Sequence, residues 1–166
     1  MVDKKVTLIA SKVKLLLMDC DGVLTDGRLY FSPAGEAMKV FHVRDGQGIV
    51  SWHKAGYRSG IITGRDGEPM LRARAEELGI DYLVVRSENK LLDLEAILIE
   101  AGVAEEETAF VGDDIGDLSI MERVGMPIAV ADAVPSVIAA AAYVTRAEGG
   151  RGAVREVPDL LLASRS

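Results

Sequence analysis

The chain has 166 residues with a formal net charge of −7; 49% of its residues are hydrophobic and 27% are charged. This length fits one domain on the usual scale of about 100–200 residues, and the composition excludes disorder and collagen-like repeats. The negative charge argues against a nucleic-acid partner, because gripping a phosphate backbone needs a basic face. The single cysteine, Cys20, excludes an internal disulfide framework and a thiolate zinc cluster.

The N-terminal segment has a faint likeness to a lipoprotein signal, because lysines precede an apolar run that stops before Cys20. Lys12 and Lys14 interrupt that run, and Asp19 stands where a cleavage site needs a small residue. No apolar stretch approaches the roughly 20 residues of a membrane span. We therefore expect a soluble, cytoplasmic protein with no membrane partner.

Five short apolar runs recur along the chain, and each is typical of a strand buried on both faces of a sheet. They occupy residues 15–18, 60–62, 82–85, 109–111 and 128–130. Amphipathic segments between and after them predict helices over 46–55, 68–78, 90–101, 118–124, 134–142 and 154–162. Strands that alternate with helices predict an α/β fold with a Rossmann-like parallel sheet flanked by helices on both faces.

One segment breaks this alternation directly after the first strand. Residues 28–31 and 37–41 are β-prone and flank a loop that contains proline and glycine, which predicts a β-hairpin over about residues 28–42. In an open α/β sheet this place borders the ligand-binding crevice, which lies outside the carboxyl ends of the strands.

Polar residues follow four of the predicted strands. Asp19 and Asp21 follow the first strand, Thr63 follows the second, Lys90 comes after the third, and the acidic run 112–117 follows the fourth. Because the carboxyl ends of parallel strands meet at one edge, these side chains are expected to converge. Crowded carboxylates repel one another unless a cation joins them, and an all-oxygen ligand set points to a hard metal, above all Mg²⁺.

This set of motifs resembles the haloacid dehalogenase superfamily of phosphotransferases. The four signatures appear in order as Asp19-Cys20-Asp21-Gly22-Val23-Leu24-Thr25, Thr63, Lys90 and Gly112-Asp113-Asp114-Ile115-Gly116-Asp117. Arg44-Asp45-Gly46, Ile62-Thr63-Gly64-Arg65, Glu88-Asn89-Lys90-Leu91 and the stretch 149–156 look like its capless subfamily. The resemblance covers about residues 15–162. It implies a single domain over 1–166 with no cap domain, in agreement with the short spacing between motifs, and with a C-terminal tail over about 147–166.

The resemblance implies a phosphomonoester hydrolase that works through an aspartyl phosphate. Asp19 would attack phosphorus, and Asp21 would act first as general acid and then as general base. Thr63 would hydrogen-bond a phosphoryl oxygen, and Lys90 would neutralise charge on the phosphoryl group and keep Asp19 ionised.

The resemblance also implies the ligands of the metal. Asp19, the backbone carbonyl of Asp21 and Asp113 would hold Mg²⁺, with Asp114 near by. Asp117 stays open between a ligand and a structural partner or N-cap. Backbone N–H groups of the first motif and of Gly64 would complete the phosphate cradle.

The substrate expected from the resemblance is a small sugar phosphate. Arg65 looks like the type that acts on an eight-carbon sugar acid phosphate in lipopolysaccharide precursor synthesis, whereas a glutamate is expected there in the nine-carbon type. Arg151, in a glycine-rich run that we expect to be flexible, is a second candidate for binding a carboxylate or phosphate. The alternative interpretation is that Arg151 is an ordinary loop arginine.

Three other functions are alternatives to this one. A phosphatase for a nine-carbon sugar acid phosphate is the nearest alternative. A receiver domain of two-component signalling needs a phosphoacceptor aspartate on a middle strand, and none ends the second or third predicted strand. A non-catalytic assembly domain is disfavoured by the intact Asp19, Asp21, Thr63, Lys90 and Asp113.

The predicted hairpin carries an apolar surface that a monomer could not fully bury. Its apolar residues are Tyr30, Phe31, Met38, Val40 and Phe41. In the capless subfamily, neighbouring subunits wall the open site. The resemblance therefore implies a homotetramer, and the apolar hairpin is compatible with one.

Overall fold

The computed structural model describes residues 3–165, which form eight strands and seven α-helices. The strands are β1 (Leu15–Met18), β2 (Tyr30–Ser32), β3 (Gly35–Met38), β4 (Arg58–Ile62), β5 (Tyr82–Val84), β6 (Thr108–Gly112), β7 (Met126–Ala129) and β8 (Tyr143–Val144). The helices are α1 (Lys4–Ala10), α2 (Val43–Lys54), α3 (Glu68–Leu78), α4 (Lys90–Ala101), α5 (Leu118–Met121), α6 (Pro135–Ala140) and α7 (Ala153–Ala163). None of the helices among these residues combines the length and apolarity needed to cross a bilayer.

Six of the strands form one parallel sheet in the order β5-β4-β1-β6-β7-β8. Strand β1 pairs in parallel with β4 on one side and with β6 on the other, and every residue of β1 and β6 is buried. The chain builds outward from β1 through β4 to β5 and then returns to the other side at β6. The predicted α/β sheet with flanking helices is confirmed, and this reversal places the ligand crevice at the carboxyl ends of β1, β4 and β6.

The remaining two strands, β2 and β3, pair antiparallel as the predicted hairpin. Within residues 3–165, the segment from β1 to β4 holds only this hairpin and α2. The segment from β4 to α4 holds only α3 and β5. Neither segment is large enough for a cap domain, as the motif spacing predicts.

Helices α3 and α4 have the predicted bounds, because their end signals lie in the local sequence. Gly79 and Gly102 follow them in the left-handed conformation, with φ of 70° and 63°. The Asn89 side chain accepts hydrogen bonds from the backbone N–H groups of Leu91 and Leu92 and so caps α4. This cap fixes Lys90 in the first turn of the helix.

The predicted C-terminal tail, about 147–166, consists mostly of an integral helix. Helix α7 packs against α2 and buries Val154, Val157 and Leu161. The buried carboxylate of Asp45 joins the N-terminal ends of these two helices, because it accepts hydrogen bonds from the backbone N–H groups of Gly152 and Arg155. The segment is therefore part of the core.

The glycine-rich run, expected to be flexible, is packed closely against the loop after β1. The Gly150 N–H donates to the Val23 carbonyl at 2.9 Å. A Cβ on Gly149 would lie only 1.7 Å from the Gly22 carbonyl oxygen, so the two backbones are in direct contact. Gly149 and Gly150 have no room for side chains because they pack against the loop that follows β1.

Candidate active site

The loop after β1 turns sharply and places two aspartates at the carboxyl edge of the sheet. The Asp19 N–H donates to the Val111 carbonyl at 3.0 Å, which continues the pairing with β6 by one residue. Gly22 then has a φ of 89°, and a Cβ there would lie 2.0 Å from an oxygen of Asp113. Glycine is required at this position because the carboxylate of Asp113 occupies the space that a side chain would take.

Lys90 lies between two of the carboxylates. Its ammonium is 3.1 Å from Asp19 Oδ1 and donates a hydrogen bond to Asp117 Oδ1 at 2.7 Å. The other oxygen of Asp117 accepts a hydrogen bond from the backbone N–H of Asp113 at 3.0 Å. Through these two hydrogen bonds, the buried Asp117 connects Lys90 to the loop after β6.

Three carboxylates form a cluster that is suited to a divalent cation. One oxygen from each of Asp19, Asp113 and Asp117 lies within 4.8 Å of the others. Burial and repulsion from neighbouring carboxylates raise the pKa of Asp113 to about 7. Burial and repulsion from Asp117 raise the pKa of Asp19 to about 6, against the opposing effect of Lys90. A bound cation would relieve this repulsion.

The donor chemistry of the cluster also fits Mg²⁺. Asp113 Oδ1 is buried, and no group among residues 3–165 donates a hydrogen bond to it. All side-chain ligands in the cluster are oxygen atoms, which hard cations prefer. Asp114 lies beside the cluster, but one of its oxygens accepts the Ile115 N–H at 2.7 Å and caps the short turn 115–117. Its predicted part in metal binding stays a prediction, as does that of the Asp21 carbonyl.

The end of β4 supplies the next part of the site. Thr63 is buried, its N–H donates to the Val84 carbonyl, and its hydroxyl accepts the N–H of Arg65 at 3.3 Å. A cavity of about 270 Å³ opens between this turn and the two acidic loops. Its lining includes all the predicted catalytic and metal-binding residues and two of the three predicted substrate-binding residues: Asp19, Asp21, Thr63, Gly64, Arg65, Lys90, Asp113 and Asp114.

Arg151, the third residue predicted to bind substrate, does not line this cavity. Its guanidinium lies 3.4 Å from a carboxylate oxygen of Glu148 and 4.0 Å from one of Asp26. It projects from the turn that packs against the loop after β1. Its contact with substrate stays a prediction.

Two residues of the hairpin belong to the site, although sequence analysis assigned them no role. The Lys39 ammonium lies 2.5 Å from Asp21 Oδ1 and 2.9 Å from Glu36 Oε1, and the lysine side chain is only 2% exposed. Arg65 lies 3.3 Å from the other oxygen of Glu36. The available signal was a Glu36–Lys39 pair inside an otherwise apolar hairpin.

A second groove of about 540 Å³ opens beside the hairpin and shares Gly64 and Arg65 with the smaller cavity. Its remaining lining comes from the hairpin loop and the start of α3: Ala34, Glu36, Asp66, Gly67, Pro69 and Met70. The two spaces together can hold a phosphate at the acidic cluster and a larger group under the hairpin.

Comparisons with known proteins agree with this arrangement. Residues 79–156 match the haloacid dehalogenase-like hydrolases. The 3-deoxy-D-manno-octulosonate 8-phosphate phosphatase of Escherichia coli K12 is 46% identical over 156 residues, which is 94% of this chain and 82% of the relative. The corresponding enzyme from Yersinia pestis is 43% identical over the same length, with 83% of the relative covered.

Solved structures match over nearly the whole chain. The Yersinia pestis phosphatase superimposes with a TM-score of 0.96 at 42% identity, covering 99% of this chain and 88% of that one. The phosphatase of Moraxella catarrhalis was solved in complex with a magnesium ion, a phosphate ion and 3-deoxy-D-manno-octulosonate (KDO). It superimposes with a TM-score of 0.95 at 34% identity, covering 99% of this chain and 94% of that one. The chain therefore belongs to the haloacid dehalogenase-like hydrolases, and within them to the family of the 3-deoxy-D-manno-octulosonate 8-phosphate phosphatases.

Proposed function

We propose that this chain is a Mg²⁺-dependent phosphatase that hydrolyses 3-deoxy-D-manno-octulosonate 8-phosphate (KDO 8-phosphate) to KDO and phosphate. The observation that carries the proposal is the convergence of Asp19, Asp21, Thr63 and Lys90 with the acidic cluster around one cavity. The relatives named for this activity, and the relative that holds magnesium, phosphate and KDO together, support the same substrate. They do not favour the nine-carbon, signalling or non-catalytic alternatives.

The chemistry begins at Asp19. A phosphate monoester resists hydrolysis so strongly that enzymes supply accelerations of up to ~10²¹-fold. A carboxylate oxygen of Asp19 attacks phosphorus, the bond from phosphorus to the sugar oxygen breaks, and an aspartyl phosphate forms. Lys90, 3.1 Å from Asp19 Oδ1, offsets the charge that gathers on the phosphoryl oxygens. Thr63 and the Gly64 N–H bind those oxygens.

Asp21 handles the proton in both halves of the reaction. It gives its proton to the sugar oxygen as the alcohol leaves, and it then takes a proton from the water that attacks the aspartyl phosphate. The second step releases phosphate and restores Asp19 and a protonated Asp21. The two steps together therefore balance in atoms and protons, with water as the one co-reactant.

Asp19 and Asp113 would hold Mg²⁺, together with the Asp21 carbonyl and with Asp114 near by. When bound, the ion supplies positive charge that offsets both the phosphoryl oxygens and the repulsion among the carboxylates. Asp117 binds Lys90, so we assign it to positioning this lysine and the loop after β6.

The sugar acid would occupy the groove under the hairpin. Its carboxylate needs a placed cation, and a guanidinium offers two parallel N–H donors to a carboxylate. Arg65 borders both the cavity and the groove, and 42% of its side chain is exposed, so it can exchange Glu36 for a ligand. Arg151 is the second candidate for this role.

We further propose that the chain assembles as a homotetramer through the hairpin. Four apolar side chains on and around the hairpin are between 45% and 65% exposed: Leu29, Phe31, Met38 and Val40. Apolar side chains grouped in this way are typical of an interface.

A cytoplasmic location stays a prediction, which cell fractionation would test.

The decisive experiment measures phosphate release from KDO 8-phosphate, a nine-carbon sugar acid 9-phosphate and p-nitrophenyl phosphate. KDO 8-phosphate should give the highest kcat/KM, EDTA should abolish turnover, and Mg²⁺ should restore it. Asp19→Asn should be inactive on all three, because an amide is not a nucleophile. Arg65→Ala should lose more activity on the sugar acids than on p-nitrophenyl phosphate. Faster turnover of the nine-carbon substrate, or full activity without metal, would overturn the assignment.

A further inference from the structure

Lys39 is a buried lysine at the centre of the contact between the hairpin and the catalytic loop. It follows the last residue of β3, and its ammonium meets Asp21 Oδ1 and Glu36 Oε1 at 2.5 and 2.9 Å. Lysines are almost never fully buried unless they are paired. The stem of the side chain passes against Gly67, where a Cβ would lie 2.4 Å from Lys39 Cε. The loop after β4 is therefore shaped to enclose this side chain.

The contact leaves the two oxygens of Asp21 in different environments. Oδ1 accepts the hydrogen bond from Lys39. Oδ2 is buried, and within residues 3–165 no group donates a hydrogen bond to it. The Nε of Arg65 lies 3.9 Å from this oxygen. Asp21 lines the cavity, and Oδ2 is its oxygen that carries no hydrogen bond from the described residues.

We propose that Lys39 is a positioning residue for the general acid: it holds Asp21 by Oδ1 and so directs Oδ2 to the oxygen of the leaving group. This inference rests on the proposed function, because it concerns the acid step of that reaction. When the bond from phosphorus to oxygen breaks, the proton passes from Asp21 Oδ2 to the departing alcohol. The carboxylate that remains keeps its ion pair with Lys39.

A lysine suits this role because one ammonium can donate to two carboxylates at once. Here Lys39 donates to Asp21 and forms an ion pair with Glu36 at 2.9 Å, and Glu36 is in turn joined to Arg65 at 3.3 Å. The position of Asp21 is therefore coupled to the hairpin and to the residue that borders the sugar groove. A hairpin displaced from the site would release the acid as well as open the groove.

The test exploits the need of the leaving group for a proton. A sugar alkoxide leaves well only if it is protonated, whereas p-nitrophenolate is a stable anion and needs little help. Lys39→Met keeps an unbranched apolar stem as far as Cε and removes the ammonium. It should lower kcat on KDO 8-phosphate by about 10²-fold, within the range of general acid catalysis, and lower kcat on p-nitrophenyl phosphate by less than about 5-fold.

Three variants control for a purely structural effect. Lys54→Met removes an exposed lysine at the end of α2 and should change neither rate. Lys39→Arg, which keeps the charge, should recover part of the loss on the sugar phosphate alone. If Lys39 acts through Asp21, Lys39→Met should cost no further activity in an Asp21→Asn background. Should Lys39→Met fail to fold, the losses of kcat on the two substrates are compared in Lys39→Gln instead.

Equal losses on the two substrates, or additive losses with Asp21→Asn, would overturn the proposal. The comparison uses an alkyl phosphate that the wild-type protein cleaves, beginning with KDO 8-phosphate. A preference for another sugar phosphate would therefore refute the proposed substrate and leave this test standing. A wild-type protein that cleaves no phosphate ester would refute both.

Discussion

Gly149→Ala is expected to damage the active site from the opposite end of the chain. A Cβ at this position would lie 1.7 Å from the Gly22 carbonyl oxygen and 2.5 Å from its carbon, whereas ordinary Cβ contacts begin at 3.4 Å. The two backbones must therefore separate by more than an ångström. The segment that moves follows Asp19 and Asp21 directly. Overpacking of this kind costs about 1–3 kcal/mol, and a displacement near 1 Å costs about 10²-fold in rate.

For a chain of this length, that loss of stability lowers the unfolding temperature by roughly 2–12 °C. Thermal unfolding measures the first effect, and the kcat for p-nitrophenyl phosphate measures the second without involving the sugar groove. Gly116→Ala is the matched control, because a Cβ there would meet nothing within 4 Å and the backbone has no positive φ. If Gly149→Ala melts within about a degree of wild type and keeps at least half its activity, the two backbones are not in the contact described.

Two further predictions concern the metal and the hairpin. Burial and neighbouring carboxylates raise the pKa of Asp113 from 3.8 to about 7, so the metal-free fold loses stability as pH rises between these two values and carries the full cost of the ionised carboxylate above about pH 7. Mg²⁺ should therefore raise the unfolding temperature more at pH 8 than at pH 5.5. Asp113→Asn should remove most of this difference between the two pH values. An equal rise at both pH values would contradict the reasoning. Phe31→Glu should convert a sedimenting tetramer into smaller species and raise the KM for the sugar phosphate. Ile99→Glu, on the exposed face of α4, should do neither. A wild-type monomer with full activity would refute the second prediction.

The positions of the strands and of the acidic loops could be predicted because their causes are local. Four consecutive apolar residues at 15–18 specify a strand buried on both faces, and the aspartates that follow must then reach the edge of the sheet. The bounds of α3 and α4 follow from Gly79, Asn89 and Gly102 at their ends. These local signals are enough to predict that Asp19, Thr63 and Lys90 lie at the carboxyl edge of the sheet, without any knowledge of packing.

The parts of the site that escaped prediction depend on contacts between distant segments. Lys39 lies 18 residues from Asp21, and nothing in the hairpin pattern shows that its ammonium points inward. The glycine-rich run suggests flexibility by composition, yet Gly149 is packed against Gly22 across the fold. Strand β8 has only two residues and falls below the length at which a periodic pattern is visible.

Each aspartate of the first motif has its own lysine, and each lysine is shared with a second carboxylate. Lys90 joins Asp19 to Asp117, and Lys39 joins Asp21 to Glu36. Sharing the ammonium keeps each aspartate in place without neutralising the site completely. With Asp113, Asp114 and Arg65 included, six carboxylates face three cations, which leaves three formal negative charges when all are ionised.

Such a site repels a phosphate dianion until a divalent cation has entered, because Mg²⁺ offsets two of those three negative charges. From these charges we expect the metal to bind before the substrate. The same balance explains why an acidic chain can act on an anionic ester. The positive charge that the reaction needs is concentrated on two largely buried lysine side chains, one arginine and the bound ion, and a basic surface is unnecessary.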